Sequence, residues 1–173
     1  MNISKVSIGL INPKSPDNVS SVMRSAGNFQ IDSVFYTGTR YPRAVKRNPG
    51  SVDMSRKVSR DIPLSALYCL IDEAPENMQI VCVEFAENAI ALPEYQHPQN
   101  AFYIFGPEDG TMSQDVIDRA DDVVYVPTIG CMNLAATVNV VLYDRLAKSS
   151  QCFQGNTLIC TSRDINNSLI VNI

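Results

Sequence analysis

The sequence predicts an α/β fold, with a mainly parallel β-sheet covered by helices on both faces. Short apolar runs typical of buried strands alternate along the chain with segments whose apolar residues recur at helical spacing. This alternation favours a parallel sheet, because each crossover helix packs against one of its faces. The 173 residues, 45% of them hydrophobic and 18% charged, suffice for one domain with a substantial core.

The first strand is predicted over Lys5–Ile11, and the turn Asn12-Pro13-Lys14 ends it. Ser15 then provides a helix N-cap, Pro16 suits the first helical position, and Asp17 lies near the positive end of the helix dipole. The predicted helix carries an apolar stripe formed by Val19, Val22, Met23, Ala26 and Phe29.

Further strands are predicted over residues 33–37, 79–85, 101–105 and 123–126, and further helices over residues 63–74, 113–120 and 133–148. The basic segment 40–60 is predicted to be a loop. We therefore expect residues 1–150 to form the domain. Residues 151–173 show no clear period and are expected to form an ordered tail or a partner-binding arm.

The composition disfavours several classes of protein. No apolar run approaches the roughly 20 residues that span a bilayer, and residues 1–9 lack the continuous apolar region of a secretion signal, so we expect a cytosolic protein. His97 is the only histidine and no cysteine pair has the C-x-x-C spacing, so no metal site is expected. The five cysteines are expected to be reduced thiols that fill the core.

The sequence lacks the signatures of the commonest α/β enzymes. The first strand-to-helix turn contains no glycine, whereas a nucleotide-binding Rossmann domain needs G-x-G-x-x-G there. Neither a P-loop nor a G-x-S-x-G elbow occurs, and His97, between Gln96 and Pro98, is predicted to lie in a loop. Hydride transfer, ATP hydrolysis and ester hydrolysis are therefore disfavoured.

Half of the basic residues lie in one segment. Residues 40–60 carry seven of the fourteen lysines and arginines and a single acid, a local charge of +6 in a chain of net charge −4. With Tyr36 and Tyr41 beside them, these cations suit phosphate contact and base stacking on RNA. The same composition is typical of a solvated surface loop. The candidates for RNA binding are Arg40, Arg43, Lys46 and Arg47.

Three polar turns join a strand-like run to a helix start, in the segments 15–24, 105–110 and 126–134. In open α/β sheets such turns build ligand sites, because free backbone N–H groups at helix starts point beyond the strand ends. Gly106 lets a ligand approach the main chain, and Asn133 opens a helix whose free N–H groups can bind polar ligand atoms.

These segments resemble the motifs of the SpoU/TrmH family of RNA ribose 2'-O-methyltransferases, in the SPOUT superfamily. Asn18 and Arg24 resemble motif 1, Phe105-Gly106-Pro107-Glu108 is similar to motif 2, and Val126-Pro127 with Met132-Asn133-Leu134 is similar to motif 3, in the family's order. The resemblance runs from about residue 5 to residue 148. By size, the chain is most similar to minimal members, some of which modify the tRNA anticodon wobble ribose.

The resemblance implies S-adenosylmethionine as methyl donor and a deep trefoil knot in the C-terminal half. The implied reaction is methyl transfer to a ribose 2'-OH of tRNA, with rRNA as the alternative substrate. Carried over by position, the cofactor pocket would be lined by Val83, Gly106, Val126, Cys131, Met132 and Leu134.

The resemblance also implies that Arg24 is catalytic. An arginine is almost never neutral, so Arg24 is expected to hold an RNA phosphate and the 2'-hydroxyl in line rather than to act as a base. Asn18, one or two helical turns before Arg24, is expected to act as an orienting amide, and Glu108 is expected to support Arg24 or the site. Asn133 is the fourth catalytic candidate. The family pairs through its first and last helices, so we expect a homodimer in which Arg24 reaches the partner's cofactor. Taken singly, each residue also has a purely structural interpretation. Asn18 is typical of the first turn of a helix and Asn133 of a helix cap, whereas Glu108 is typical of a turn and Arg24 of a protein surface.

Four positions depart from the family's pattern. Ser20 and Gln30 stand where glycine is usual, Gly110 comes one place early, and Cys131 replaces the common serine of motif 3. A thiol is a weaker hydrogen-bond partner than a hydroxyl. A catalytically silent, knotted RNA-binding protein is therefore the alternative to an enzyme.

Overall fold

The computed structural model describes residues 4–49, 59–150 and 154–172. Its strands are β1 (Val6–Leu10), β2 (Ser33–Tyr36), β3 (Leu64–Ala66), β4 (Gln79–Val83), β5 (Ile90–Ala91), β6 (Ala101–Phe105) and β7 (Asp122–Tyr125). Its helices are α1 (Pro16–Asn28), α2 (Arg40–Arg47), α3 (Gln114–Asp118), α4 (Leu134–Lys148) and α5 (Asn156–Ser162), with a 3-10 turn over Leu92–Glu94.

The strands form one sheet in the order β3-β2-β1-β6-β4-β7-β5, and every pairing between described strands is parallel. Both faces are covered, as the alternation of strands and helices predicted. Residues of the central strand β6 point alternately to two cores: Tyr103 and Phe105 pack with α1 and α4, whereas Phe102 and Ile104 pack with Leu70. Along the described ranges, no helix is both long enough and apolar enough to cross a membrane.

Helix α1 forms as its sequence predicts. The Ser15 side chain accepts the Asn18 N–H at 3.3 Å, and Pro16 occupies the first turn. The predicted stripe Val19, Val22, Met23 and Ala26 is buried, and Phe29 caps the helix with a partly buried ring. Because this face packs against α4, the opposite face of α1, which carries Arg24, is exposed.

The prediction of a helix over residues 63–74 is wrong, because this segment forms a short strand followed by turns. The first part of this segment is β3, which pairs with β2 at the edge of the sheet. The Glu73 carboxylate then accepts the N–H groups of Tyr68 and Cys69 at 2.6 and 3.0 Å, which holds the chain in turns. Leu70 is buried nonetheless. The turns therefore bury an apolar residue whose spacing in the sequence resembled that of a helix.

The start of the basic segment is helix α2 rather than the predicted loop. Tyr41 is 8% exposed and packs edge-on against Tyr36 with ring centroids 5.0 Å apart, and Val45, one turn later, contacts the same core. Burying this face stabilises the helix. Tyr41 is therefore a core residue, and the prediction that it stacks on RNA is wrong. Residues 50–58 of the basic segment lie outside the described residues.

The prediction for the cysteines is wrong in part. Cys82 is buried, but Cys69 is only partly buried, and Cys131 and Cys160 are exposed; these four thiols are free. Cys152 lies outside the described residues. The exposed thiol of Cys131 belongs to the site described below.

His97 lies in the loop before β6, as predicted, but its side chain is only 4% exposed. Its Nδ1 is 2.6 Å from Tyr103 Oη and its Nε2 is 2.8 Å from Asp144 Oδ2. Arg145 donates to Tyr103 Oη at 3.1 Å, and Lys148 Nζ is 2.7 Å from Asp144. Burial lowers the pKa of His97 and the nearby cations add to this, against the opposing effect of Asp144. These contacts fix the C-terminal half of α4 to the sheet.

Candidate active site

The three polar turns of the sequence meet at one edge of the sheet. They follow β1, β6 and β7, and the order β1-β6-β4-β7 places these strands close together. Because the strands are parallel, their carboxyl ends lie on the same edge, where α/β sheets build ligand sites. The structure thus brings together segments that lie up to about a hundred residues apart in the sequence.

A chain of side-chain hydrogen bonds links one residue from each turn. Asn133 Nδ2 donates to Asn18 Oδ1 at 3.0 Å, and Asn18 Nδ2 donates to Glu108 Oε1 at 3.3 Å. Asn18 therefore holds Asn133 on one side and Glu108 on the other. Three of the four predicted catalytic residues belong to this chain.

Glu108 fixes the first turn to the second. Its carboxylate accepts the N–H groups of Lys14 and Ser15 at 2.8 and 3.0 Å, and its side chain is 15% exposed. Burial acts to raise the pKa of Glu108, but the hydrogen bonds from Ser15, Lys14 and Asn18 outweigh it, so the pKa is lowered. A carboxylate that accepts several N–H groups is stabilised in its charged form.

Arg40 connects the start of α2 to the same place. Its Nε and Nη2 donate to the Asn12 carbonyl at 2.9 and 2.7 Å, and its Nη1 donates to Asp109 at 2.6 Å. Its Nη2 also lies 3.8 Å from Glu108. The Arg40 guanidinium is the largest cause of the lowered pKa of Asp109. Arg40 is thus engaged within the protein, unlike the other predicted RNA-binding cations.

Arg43, Lys46 and Arg47 are exposed on α2. Their spacing of three and four residues places them on one helix face. This face begins one turn after Arg40, the residue whose guanidinium contacts Glu108 and Asp109.

Asn133 is the N-cap of α4. Its Oδ1 accepts the N–H groups of Ala135 and Ala136 at 2.9 and 3.3 Å. The expectation that these N–H groups are free to bind a ligand is therefore wrong, because the side chain of Asn133 already occupies them.

A cavity of about 240 Å³ lies at the carboxyl ends of β4, β6 and β7. All six residues predicted to line a cofactor pocket line this cavity, namely Val83, Gly106, Val126, Cys131, Met132 and Leu134. Glu108 lines it too, which joins the cavity to the hydrogen-bonded chain. An added Cβ at Gly106 would lie 3.1 Å from Glu84 Oε2, so glycine keeps this wall open.

Glu84 is a residue of the cavity wall that was not predicted from the sequence. Its Oε1 accepts the N–H of Phe85 at 2.9 Å and its Oε2 accepts the N–H of Met112 at 3.0 Å, at the wall of the cavity. A polar residue directly after the buried strand β4 is the signal that could have found it. The rings of Phe85 and Tyr125, with centroids 6.0 Å apart, form an aromatic part of the same wall.

Arg24 lies apart from this constellation. It is exposed, does not line the cavity, and makes no hydrogen bond or ion pair with any residue that the structure describes. Asn18 lies six residues earlier on α1, about 120° around the helix, and binds Glu108 and Asn133. Within one chain, the Asn18 amide therefore orients Glu108 and Asn133 and makes no contact with Arg24. Glu108 contacts Lys14, Ser15, Asn18 and Arg40, and none of its described contacts is with Arg24.

The structure describes residues 4–49, 59–150 and 154–172. No group of three or more His, Cys, Asp or Glu side chains in these ranges could hold a metal ion.

Comparison with known proteins gives consistent results. The model of the SpoU rRNA Methylase family matches residues 5–143. The tRNA (cytidine-2'-O-)-methyltransferase TrmJ of Methanocaldococcus jannaschii is 25% identical over 163 residues, covering 84% of this chain and 69% of that protein.

Two solved structures resemble this fold. One, described as giving structural insights into the 2-OH methylation of C/U34 on tRNA, has a TM-score of 0.70 at 17% identity and covers 86% of this chain and 92% of that chain. The other, the SpoU methyltransferase AviRb from Streptomyces viridochromogenes in complex with the cofactor AdoMet, has a TM-score of 0.64 at 18% identity and covers 86% of this chain and 62% of that chain. Likeness at this level of identity shows a shared fold.

Proposed function

Because the chain belongs to the SpoU rRNA methylase family, we propose that it transfers a methyl group from S-adenosylmethionine to a ribose 2'-hydroxyl of RNA. The observation that carries this proposal is the cavity at the carboxyl edge of the sheet, which all six predicted cofactor residues line. A hydrogen-bonded chain joins the three motif turns beside it.

The residues of the cavity fit S-adenosylmethionine, which when bound supplies an electrophilic methyl group on a sulfonium. Gly106 leaves its main chain open, since a side chain there would approach Glu84. Val83, Val126 and Leu134 provide an apolar wall. Cavities that combine apolar walls with a few polar groups are typical ligand sites.

We assign Arg24 to the RNA rather than to the cofactor. Its exposed guanidinium has no partner among the described residues and can bind a phosphate bidentately. In this role it positions the ribose for attack, which lowers the entropic cost of reaction. Because Arg24 does not line the cavity of its own chain, the proposal includes a homodimer in which it reaches the cavity of the partner subunit.

The proposal also includes a knotted backbone and a catalytic domain limited to residues 1–150. The resemblance predicts a deep trefoil knot, and the central position of the late strand β6, between β1 and β4, supports it. Residues 1–150 would form the catalytic domain. Helix α5 has no buried residue, and Ile165, Leu169 and Ile170 after it are exposed, which supports a separate tail.

We propose tRNA as the substrate, with the anticodon wobble ribose as the target and rRNA as the alternative. TrmJ is named for a tRNA cytidine reaction, and one similar structure is described for C/U34 of tRNA. The exposed cations Arg43, Lys46 and Arg47 on α2 would contact the phosphates. Their helix begins at Arg40, which pairs with Asp109 of the cavity wall, so RNA bound there would lie near the site.

The test is methylation in vitro with total tRNA and with rRNA, followed by mass mapping of 2'-O-methylated nucleosides. We expect methylation of tRNA, and we expect Arg24→Ala to abolish it while binding of S-adenosylmethionine by calorimetry persists. Arg119→Ala is the matched control, because Arg119 follows α3, does not line the cavity, and pairs with Asp115 on that helix and with Asp72 in the turns between β3 and β4. Equal methylation by Arg24→Ala and wild type would remove Arg24 from the mechanism.

Cys131 favours a second candidate function, a catalytically silent RNA-binding protein. Its exposed thiol lines the cavity where the family usually has serine, and it is a weak hydrogen-bond partner. Absence of binding heat with S-adenosylmethionine at millimolar concentration, together with retained RNA binding, would select this function. Binding in the micromolar range would exclude it.

A further inference from the structure

The charges on the cavity wall are all of one sign. The lining residues include the carboxylates Glu84, Glu108 and Asp109 but no lysine, arginine or histidine. Two of these carboxylates have a cation behind them, since Arg40 contacts both Glu108 and Asp109. Lys14 adds a second contact to Asp109 at 3.6 Å.

Glu84 differs from the other two carboxylates. Its hydrogen bonds come from the backbone N–H groups of Phe85 and Met112, and it forms no ion pair with a residue that the structure describes. These two donors fix both oxygens but supply no net charge. A carboxylate has about four lone-pair sites, so two N–H groups leave acceptor capacity toward the cavity. Glu84 is therefore the uncompensated negative charge of the wall.

The two ligands that the site must distinguish differ in one charge. S-adenosylmethionine carries a positive sulfonium, whereas in the product S-adenosylhomocysteine the electron pair of the broken S–C bond stays on sulfur, which is neutral. Their adenosine and amino acid parts are the same. Apolar contacts with Val126 or Leu134 therefore stabilise both ligands, and a fixed charge on the wall stabilises the donor preferentially.

We propose that Glu84 is a specificity-determining residue that makes the cavity prefer the cationic methyl donor to the neutral product. The inference rests on the proposed function, since it concerns the same cavity. It gives product release a physical cause, because the charge that attracts the donor has no partner after methyl transfer. A fixed carboxylate on the wall stabilises a cation in the same cavity but not a neutral ligand, so we expect an effect on the order of tenfold.

Calorimetric titration of the full chain with S-adenosylmethionine and with S-adenosylhomocysteine tests the proposal. For wild type we expect tighter binding of the donor. Glu84→Gln should weaken donor binding about tenfold and change product binding less than twofold. The glutamine loses one backbone hydrogen bond as well, but that loss affects both ligands, so the ratio of the two affinities isolates the charge. Glu84→Asp, which keeps the charge, should restore most of the preference.

Glu87→Gln is the matched control, because Glu87 is an exposed acid that does not line the cavity. It should leave both affinities unchanged. If Glu84→Gln does not fold, the wild-type salt dependence gives a second measurement: added salt should weaken the donor and leave the product unaffected. An equal loss of both ligands in Glu84→Gln, or equal salt dependence, would make Glu84 a merely structural acceptor. Failure of wild type to bind either ligand would instead overturn the proposed function itself.

Discussion

Replacement of Glu108 by glutamine should destabilise the junction of the first two motif turns. The wild-type carboxylate accepts three N–H groups, from Lys14 at 2.8 Å, Ser15 at 3.0 Å and the Asn18 side chain at 3.3 Å. Glutamine has nearly the same shape but only one acceptor oxygen. Its amino group would face at least one of these donors, because the backbone N–H groups cannot move without opening the turn.

The expected loss is about 3 kcal/mol in the free energy of unfolding. A hydrogen bond to a charged group contributes about 1.5 to 3 kcal/mol, and the substitution removes one or two of them at a side chain that is 15% exposed. This is a large share of a total stability of about 5 to 15 kcal/mol. Urea unfolding followed by circular dichroism measures it.

Asp109→Asn is the matched control, because it removes the same charge at the next residue. Asp109 is 47% exposed and pairs with Lys14 and Arg40 at the surface, where ion pairs contribute little. A loss for Glu108→Gln no larger than that for Asp109→Asn would refute the reasoning. Because the pKa of Glu108 is lowered in the folded state, its stabilisation is present above the unfolded pKa of about 4.3 and is lost as pH falls through the folded value. The difference between wild type and Glu108→Gln should shrink accordingly.

Three further predictions concern the buried histidine, the open wall and the basic helix. Because burial lowers the pKa of His97, the unfolded chain takes up this proton at a higher pH. Thermal stability should therefore fall as pH drops below about 6.5, and a profile in which His97→Gln falls as steeply would contradict this. Gly106→Ala should weaken S-adenosylmethionine binding in calorimetry at least tenfold. Gly130→Ala, with no atom within 4 Å of its added Cβ, should have no effect, and equal affinities would remove Gly106 from the site. Replacing Arg43, Lys46 and Arg47 by alanine should reduce the slope of log affinity for single-stranded RNA against log salt by about 2. Lys5→Ala, an exposed control, should change it by less than 1, and an unchanged slope in the triple variant would leave α2 as solvated surface.

The elements that the sequence predicted well are those specified locally. Helix α1 has its cap, its proline and its apolar stripe within fifteen residues, and β6 is an apolar run that stays buried on both faces. The missed elements depend on distant partners. Leu64 forms a strand because Val34 pairs with it, and Tyr41 starts a buried helix face because the ring of Tyr36 lies against it. Neither partner is visible in a local pattern.

The candidate site likewise has features that could be predicted from the sequence and features that could not. Its location followed from the sequence, because turns after parallel strands must meet at one edge, and the cavity gathers all six predicted lining residues. Its internal contacts did not follow. The bond from Asn133 to Asn18 joins residues 115 positions apart, and only the packing of α1 on α4 brings them together. A motif identifies which residues matter, but the fold decides which of them touch.

Arg40 shows why counting charge along the sequence overstates the cationic surface. The basic segment appeared as one block because it contains a single acid, yet the acid that binds Arg40 is 69 residues away. Once Arg40 donates to Asp109 and to the Asn12 carbonyl, three of the four predicted RNA-binding cations remain exposed on α2. The same contact removes Asp109 from the uncompensated charge of the cavity. A single ion pair therefore lowers the positive charge available to a polyanion and also the negative charge available to a cationic ligand. Among the described residues, Glu84 remains the acid of the cavity wall without an ion-pair partner.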